Sequence, residues 1–277
     1  MSLATGEATS LADRKRRAGQ RLMIGLSGFT VDEDTRKRIA LLQPAGFLLF
    51  GHNVAEVDQV VELGRELTSL CSEHRPPILA IDQEGGRAQR LGALGIEWPS
   101  MAQLGRAPHL VEETSRTMAR QLRALGLHLN FAPVTERLTD EASPIGDRAF
   151  GSDATAVAEA VGRFVRAHQA EGIMACAKHF PGHGDSAVDS HEDLPVRDGT
   201  DWAEGDLTPF RAAVEAEVAV VMTAHVLLSG VDSEQPVTFS DRVVPLWLRR
   251  DLGFDGVVCT DDLVMKAVRD RVSVQEQ

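Results

Sequence analysis

The sequence predicts an α/β chain built as a (β/α)8-type TIM barrel, in a single domain over residues 1–277. Three observations predict it. Short apolar runs alternate with longer stretches of helical period, the order of a strand–helix repeat. The runs lack the polar alternation of a strand with one wet face, so they read as strands buried on both sides, as in a parallel sheet. The length of 277 residues also suits a fold that commonly uses about 250.

In chain order, residues 1–19 are expected as a flexible or helical extension. Arg14, Lys15, Arg16 and Arg17 stand there with no apolar stretch after them, which is not the pattern of a secretory leader. Strands are expected at 22–28, 46–51, 78–84, 128–134, 173–180, 218–226 and 256–263. Between them, Val60, Leu63, Leu67 and Leu70 recur at helical spacing, and Met118, Leu122 and Leu125 form a stripe that ends at Gly126. Asp153 can cap a helix whose Val157, Val161, Phe164 and Val165 share a face before Gly172 closes it. Each stripe is read as core-facing. A closed barrel needs eight strands, and seven are found, so the last strand–helix unit is expected to be missing from this chain.

Composition narrows the function. At 43% hydrophobic and 25% charged the chain is globular. With 29 Lys+Arg against 41 Asp+Glu the net charge is −12. That balance repels phosphate backbones and anionic lipid, so neither nucleic acid nor a membrane surface is expected as a partner. No apolar run approaches the roughly 20 residues of a membrane span. No glycine-rich phosphate loop follows any strand, which weakens a nucleotide-binding reading. Cys71, Cys176 and Cys259 are too few and too scattered for a disulfide framework, and a reducing cytoplasm is the expected location.

In such a barrel the chemistry sits on loops leaving the C-terminal ends of the strands, and the unusual residues gather there. The third strand ends in Asp82-Gln83-Glu84-Gly85-Gly86-Arg87-Ala88-Gln89-Arg90, which is either a solvated glycine turn or a polar cluster facing a ligand. After the fourth, Asp147 and Arg148 stand between turn formers, as a surface ion pair or as part of a site. The fifth ends in Lys178-His179-Phe180-Pro181-Gly182-His183-Gly184-Asp185. In a chain with four lysines and twenty-five arginines, a lysine at a buried strand end suggests that a compact ammonium is wanted. His179 and His183 have the spacing of a helical zinc site, but Pro181, Gly182 and Gly184 argue against a helix. A looser metal site from His179, His183, Asp185 and His191 is the alternative to sugar binding with proton transfer. Asp189 and His191 can pair if the loop folds back, the carboxylate orienting the imidazole. His225, at the end of the sixth strand, reads as a satisfied core residue. Asp261 and Asp262 follow the seventh strand directly, where two carboxylates are costly unless paired or used. One of them is expected to be catalytic.

These strings, with 46–51, 130–134, 145–153 and 252–262, resemble glycoside hydrolase family 3, and more narrowly its bacterial β-N-acetylhexosaminidase branch. The resemblance runs in order from about residue 20 to residue 270. Lys-His-Phe-Pro-Gly-His-Gly-Asp followed by Asp-Ser-His carries it most specifically. It implies Asp261 as nucleophile and His191, backed by Asp189, as acid/base. It places Asp82, Arg90, Arg148, Lys178 and His179 on the sugar hydroxyls. No metal or organic cofactor is implied.

The reaction so implied is retaining, exo-acting hydrolysis of terminal β-linked N-acetylglucosamine through a glycosyl-Asp intermediate, from cell-wall (peptidoglycan) fragments in the cytoplasm. The partner is a small carbohydrate, and a monomer is expected. A phosphorylase of the same branch and a non-catalytic amino-sugar-binding protein are the alternatives. The chain departs from the family pattern at Thr135-Glu136-Arg137, where Leu-Asp-Val is usual, and at Val264, where the branch favours Ser. The segment 183–191 is expected to be mobile, because Gly182 and Gly184 leave its base unconstrained and Ala187 and Val188 give it little apolar anchorage.

Overall fold

The computed structural model describes residues 10–138, 140, 143–184, 188, 190, 192–197 and 204–269. In chain order the elements are α1 (Leu11–Gly19), β1 (Met23–Gly25), α2 (Glu33–Leu42), β2 (Gly46–Leu49), α3 (Val57–Ser69), β3 (Ile78–Ile81), α4 (Met101–Arg106) and α5 (Val111–Ala124). There follow β4 (Leu129–Asn130), α6 (Ala154–Ala170), β5 (Met174–Phe180), β6 (Val196–Arg197), α7 (Glu204–Glu215), β7 (Val220–Thr223), β8 (Leu227–Leu228), β9 (Val257–Thr260) and α8 (Lys266–Arg269). Seven strands make one parallel sheet in the order β1-β2-β3-β4-β5-β7-β9, and β6 and β8 make a separate two-stranded ladder.

Alternate side chains of the sheet enter two different cores. Phe47, Leu49, Leu79 and Ile81 pack outward under the helices, together with Val157, Val161, Phe164 and Val165 of α6. Ala80, Leu129, Phe131, Cys176, Val220 and Met222 form an inner cluster. Met23 of β1 and Cys259 of β9 both pack against that inner cluster, although they stand at opposite ends of the strand order. The sheet is therefore curled round on itself as a barrel, open between β9 and β1, where the described residues make no ladder. Both faces of each central strand are apolar because both are covered, which is why the runs showed no polar alternation.

The helices begin and end on their expected signals. The Asp153 carboxylate accepts from Ala156 N–H at 2.8 Å to cap α6, and Gly172 takes the left-handed φ of 83° that follows it. Val60, Leu63 and Leu67 of α3 and Met118 and Leu122 of α5 are buried. No helix among the described residues is long and apolar enough to cross a membrane.

Two differences from the periodicity reading matter. Most strands stop three or more residues before the apolar-to-polar runs do: β3 ends at Ile81 rather than 84, and β9 at Thr260 rather than 263. The polar tails leave the ladder to bond each other across the mouth of the barrel. The β6–β8 ladder and a π-helical segment at Val244–Asp251 were not expected from the pattern.

Candidate active site

The loop after β3 is fixed from beneath by a buried chain of amides. Asn130, on β4, accepts from Gln83 N–H at 3.0 Å and donates to Gln83 C=O at 2.9 Å. The Gln83 side chain in turn accepts from the backbone N–H of Arg90 at 2.7 Å, closing the loop on itself. Behind Asn130 lies His168 of α6, whose Nε2 meets Asn130 Nδ2 at 3.1 Å and whose Nδ1 meets Ser115 Oγ at 2.9 Å. Accepting from the amide keeps that imidazole neutral, and burial pushes its pKa down to about 3. Two acids, Asp82 and Glu84, are thereby aimed into the mouth of the barrel.

They meet three cations. Glu84, 1% exposed, accepts a bidentate pair from Arg148 (Nε to Oε2 and Nη2 to Oε1, both 2.8 Å) and lies 2.7 Å from Lys178 Nζ. Lys178 Nζ also donates to Asp82 Oδ1 at 2.5 Å, and Asp82 Oδ2 accepts from Arg90 at 2.9 Å. The order is cation, anion, cation, anion, cation. Burial works against the charge on Glu84, but Lys178 and Arg148 outweigh it and hold the carboxyl well below the usual range. Burial likewise opposes the Lys178 ammonium, and Asp82 and Glu84 together leave it more firmly protonated than an ordinary lysine. A site of this kind offers oriented donors and acceptors to a hydroxyl-rich ligand. The Lys178 side chain is 3% exposed while those of Asp82, Arg90 and Arg148 are 19%, 28% and 20% exposed. The latter three face the opening and Lys178 braces them from below.

Beyond β4 the chain rejoins β5: Thr135 N–H donates to Lys178 C=O at 2.7 Å, and Val134 bridges to Lys178 in parallel. That places Glu136 beside the next two site residues. Its Oε1 is 2.7 Å from His179 Nδ1, its Oε2 accepts the His183 N–H at 2.7 Å, and both oxygens lie 3.2 Å from His183 Nδ1. All three side chains are buried. Burial lowers the proton affinity of His179 despite Glu136. For His183, burial is outweighed by Glu136 and Asp261, so its proton affinity is raised. One atom from each of Glu136, His179 and His183 can be found within 4.8 Å of the others, close enough for one metal ion. In the structure the carboxylate accepts the His183 backbone N–H and faces the Nδ1 atom of both rings, so that the trio forms a clasp of two imidazoles on one acid. Gly182 at φ 112° and Gly184 at φ 65° bend the chain between and after these rings into conformations no helix contains.

Asp261 ends β9 on the other side of the mouth. Its Oδ2 lies 3.9 Å from His179 Nε2, and its Oδ1 accepts from Asp262 N–H at 2.8 Å. Burial raises its pKa, but His179, His225, the Asp262 N–H and Lys178 outweigh that and keep it ionised. Asp262 is exposed and accepts from Val264 N–H at 3.0 Å, a turn-forming role. Of the two adjacent acids, Asp261 is the one in the site. His225, expected as a satisfied core residue, is buried, and its Nε2 is 3.0 Å from Asp262 C=O, so it also steadies the Asp261 turn.

Six of the expected site residues, Asp82, Arg90, Arg148, Lys178, His179 and Asp261, therefore converge. Asp189, His191 and Asp185 lie outside the described residues. The reading from sequence missed Glu84 as the hub of the cluster, Glu136 as the acid under both histidines, and the support from Gln83, Asn130 and His168. Glu84 was visible as the second of two acids at a buried strand end. His168 was hidden in an ordinary amphipathic stripe.

The profile of the family described as Glycosyl hydrolase family 3 N terminal domain matches residues 15–277. A β-hexosaminidase of Thiobacillus denitrificans is 39% identical over 254 residues, 88% of this chain and 70% of that protein. A solved family 3 β-N-acetylglucosaminidase from Paenibacillus superposes with a TM-score of 0.90 at 38% identity, over 97% of this chain and 52% of that one. The chain thus spans about half of that structure's length. NagZ from Neisseria gonorrhoeae, solved also with N-trifluoroacetyl-D-glucosamine, superposes with a TM-score of 0.79 at 34% identity, over 88% of this chain and 74% of that one.

Proposed function

Because this chain belongs to glycosyl hydrolase family 3, we propose that it hydrolyses terminal β-linked N-acetylglucosamine with retention of configuration, using Asp261 as nucleophile. The observation that carries the reading is the position of Asp261: an ionised carboxylate on a strand end, 3.9 Å from His179 and facing a five-member chain of fixed charges. Sugar hydroxyls held by Asp82, Arg90 and Arg148 present the anomeric carbon to Asp261. The carboxylate attacks that carbon as the glycosidic C–O bond breaks, and the leaving oxygen takes a proton from the general acid. Water then attacks the glycosyl ester, giving its proton to the same group acting as base, and Asp261 is released. His191, oriented by Asp189, is assigned that proton transfer. An imidazole near its ordinary pKa of about 6.5 can serve as acid and then base near neutral pH.

The finer reading is that the substrate is a cell-wall fragment and the compartment the cytoplasm, with the chain acting as a monomer. Three free cysteines suit a reducing compartment. Release of p-nitrophenol from p-nitrophenyl N-acetyl-β-glucosaminide, with proton NMR of the first-formed sugar, tests the proposal. The β-anomer is expected first. No turnover, or the α-anomer first, would refute it.

A further inference from the structure

Glu136 holds two rings, and of these only His179 is among the residues expected on the sugar hydroxyls. His183 is 4% exposed and edge-on to His179, with ring centroids 5.2 Å apart. Its backbone N–H and its Nδ1 both face Glu136, which turns the opposite edge of the ring away from the acid. The atom on that edge, Nε2, is buried and has no hydrogen-bond partner among the described residues. Native structures rarely leave such an atom unmet, and where they do the group commonly has a functional role. The neighbours that act on the ring are Glu136, Asp261 and Arg148, and its own charge is felt at His225. Asp261 and Arg148 are among the residues assigned above to the reacting sugar, so the ring stands on their side of the mouth. Two of the ring's neighbours are carboxylates, and they favour a ring that carries both of its protons.

We propose that His183 is a further substrate-contacting residue of this site: its Nε2–H donates to an oxygen of the amino sugar bound against Asp261. Glu136 is the positioning residue that holds the ring from behind. The inference rests on the glycosidase reading, because an amino sugar, rich in hydroxyl and acetamido oxygens, brings such an acceptor to the mouth. It assigns a role to a histidine whose spacing from His179 otherwise suggested only metal binding.

The test is an NMR titration of 15N-histidine-labelled protein with N-acetylglucosamine, the His183 signals being assigned by their loss in His183→Gln. The Nε2 resonance of His183 is expected to shift on saturation, and an unmoved resonance in protein that binds the sugar overturns the proposal. On the aryl glycoside, His183→Leu is expected to lower kcat/KM by about 10–100-fold, the range for one hydrogen bond involving a charged group. His183→Gln, which keeps a side-chain N–H, is expected to retain most of it. Glu136→Gln is expected to raise KM more than it lowers kcat and to move the His183 Nε2 resonance in the absence of sugar. Folded His183→Leu with wild-type kcat/KM overturns the proposal. If that variant does not fold, the titration of the unmodified protein decides. Wild-type protein that neither binds the sugar nor cleaves the glycoside takes down the glycosidase reading and this inference with it. Failure of the inference alone appears only against a wild type that does both.

Discussion

β5 and β9 each deliver functional groups to the same mouth, yet they are built differently. β5 runs seven residues between β4 and β7, is buried over its last six, and ends in side chains that are all held: Lys178 by two acids, His179 by a third. β9 runs four residues at the end of the sheet, is paired only with β7 among the described residues, and has no fully buried position. The β5 side of the mouth is thus assembled by charges that bond one another. Asp261, proposed above as nucleophile, stands at the end of an edge strand that has no fully buried position. That contrast makes the two sides fail in different ways, and the following substitutions separate them.

The largest effect falls on β9. Asp261→Asn keeps the shape but cannot form the glycosyl ester, so kcat is expected to fall on the order of 10⁴-fold, as for loss of one member of a concerted catalytic set. Stability and sugar binding should stay near wild type, because the amide keeps the shape of the carboxylate and its oxygen can still accept from Asp262 N–H. Full activity in this variant would transfer the role to Asp262.

On the other side the loss is one of folding. Glu84→Ala strands Arg148 and Lys178 without their shared acid, and removing one partner of a buried ion pair costs about 3–5 kcal/mol. Urea unfolding should register that loss even with no substrate present. A wild-type midpoint would mean that the cluster relaxes around Asp82 alone. Lys178→Ala would likewise damage folding as well as substrate use, so a drop in activity for that variant does not by itself identify a sugar contact.

His168 extends the contrast to pH. Its pKa is about 3 when folded and near 6.5 otherwise, so between those values the unfolded chain binds the proton that the folded chain refuses. Stability therefore falls as pH drops from about 6.5 toward 3, by roughly 1.4 kcal/mol per unit for a group fully neutral when folded. His179 and His225 are shifted the same way. Glu84 and Glu136, depressed below about 4.5, add a further loss only below that value. His183, shifted upward, contributes in the opposite direction and only above pH 6.5. His168→Gln is expected to flatten, without abolishing, the slope of unfolding free energy between pH 6.5 and 4.5. An unchanged slope would mean that the Asn130–His168 contact opens to water.

How much of this could be read from sequence follows the same division. The strands, the barrel class and six residues that converge at the mouth were legible because each rests on local pattern: a two-sided apolar run, or polar residues massed directly after one. Asp261 and Lys178 announced themselves as charges at buried strand ends. What binds those charges to each other did not. The contact of Glu84 with Arg148 spans 64 residues and that of Glu136 with His183 spans 47, and nothing in the local pattern says which acid meets which base. Lys178 and Arg148 were therefore expected on sugar hydroxyls, whereas much of their bonding capacity is used by Glu84. His168 was invisible for a further reason, since its helix face is apolar on either side of it.

The smallest predicted effect compares the strands most directly. Val220 on β7 and Val257 on β9 are cross-strand partners on the same face of the sheet, yet they are 3% and 58% exposed. Threonine matches valine in shape and replaces one methyl by a hydroxyl. At Val220 that hydroxyl would enter the inner cluster beside Met222 and Cys176, where an unmet donor costs about 1–3 kcal/mol. At Val257 water can satisfy it, and the change should stay within about 0.5 kcal/mol, as for a surface substitution. Equal losses at the two positions, measured by urea unfolding, would mean that β9 is covered in solution by something the described residues do not supply. Asp261 would then stand on a strand as well supported as β5, and the contrast between the two sides would be one of chemistry alone.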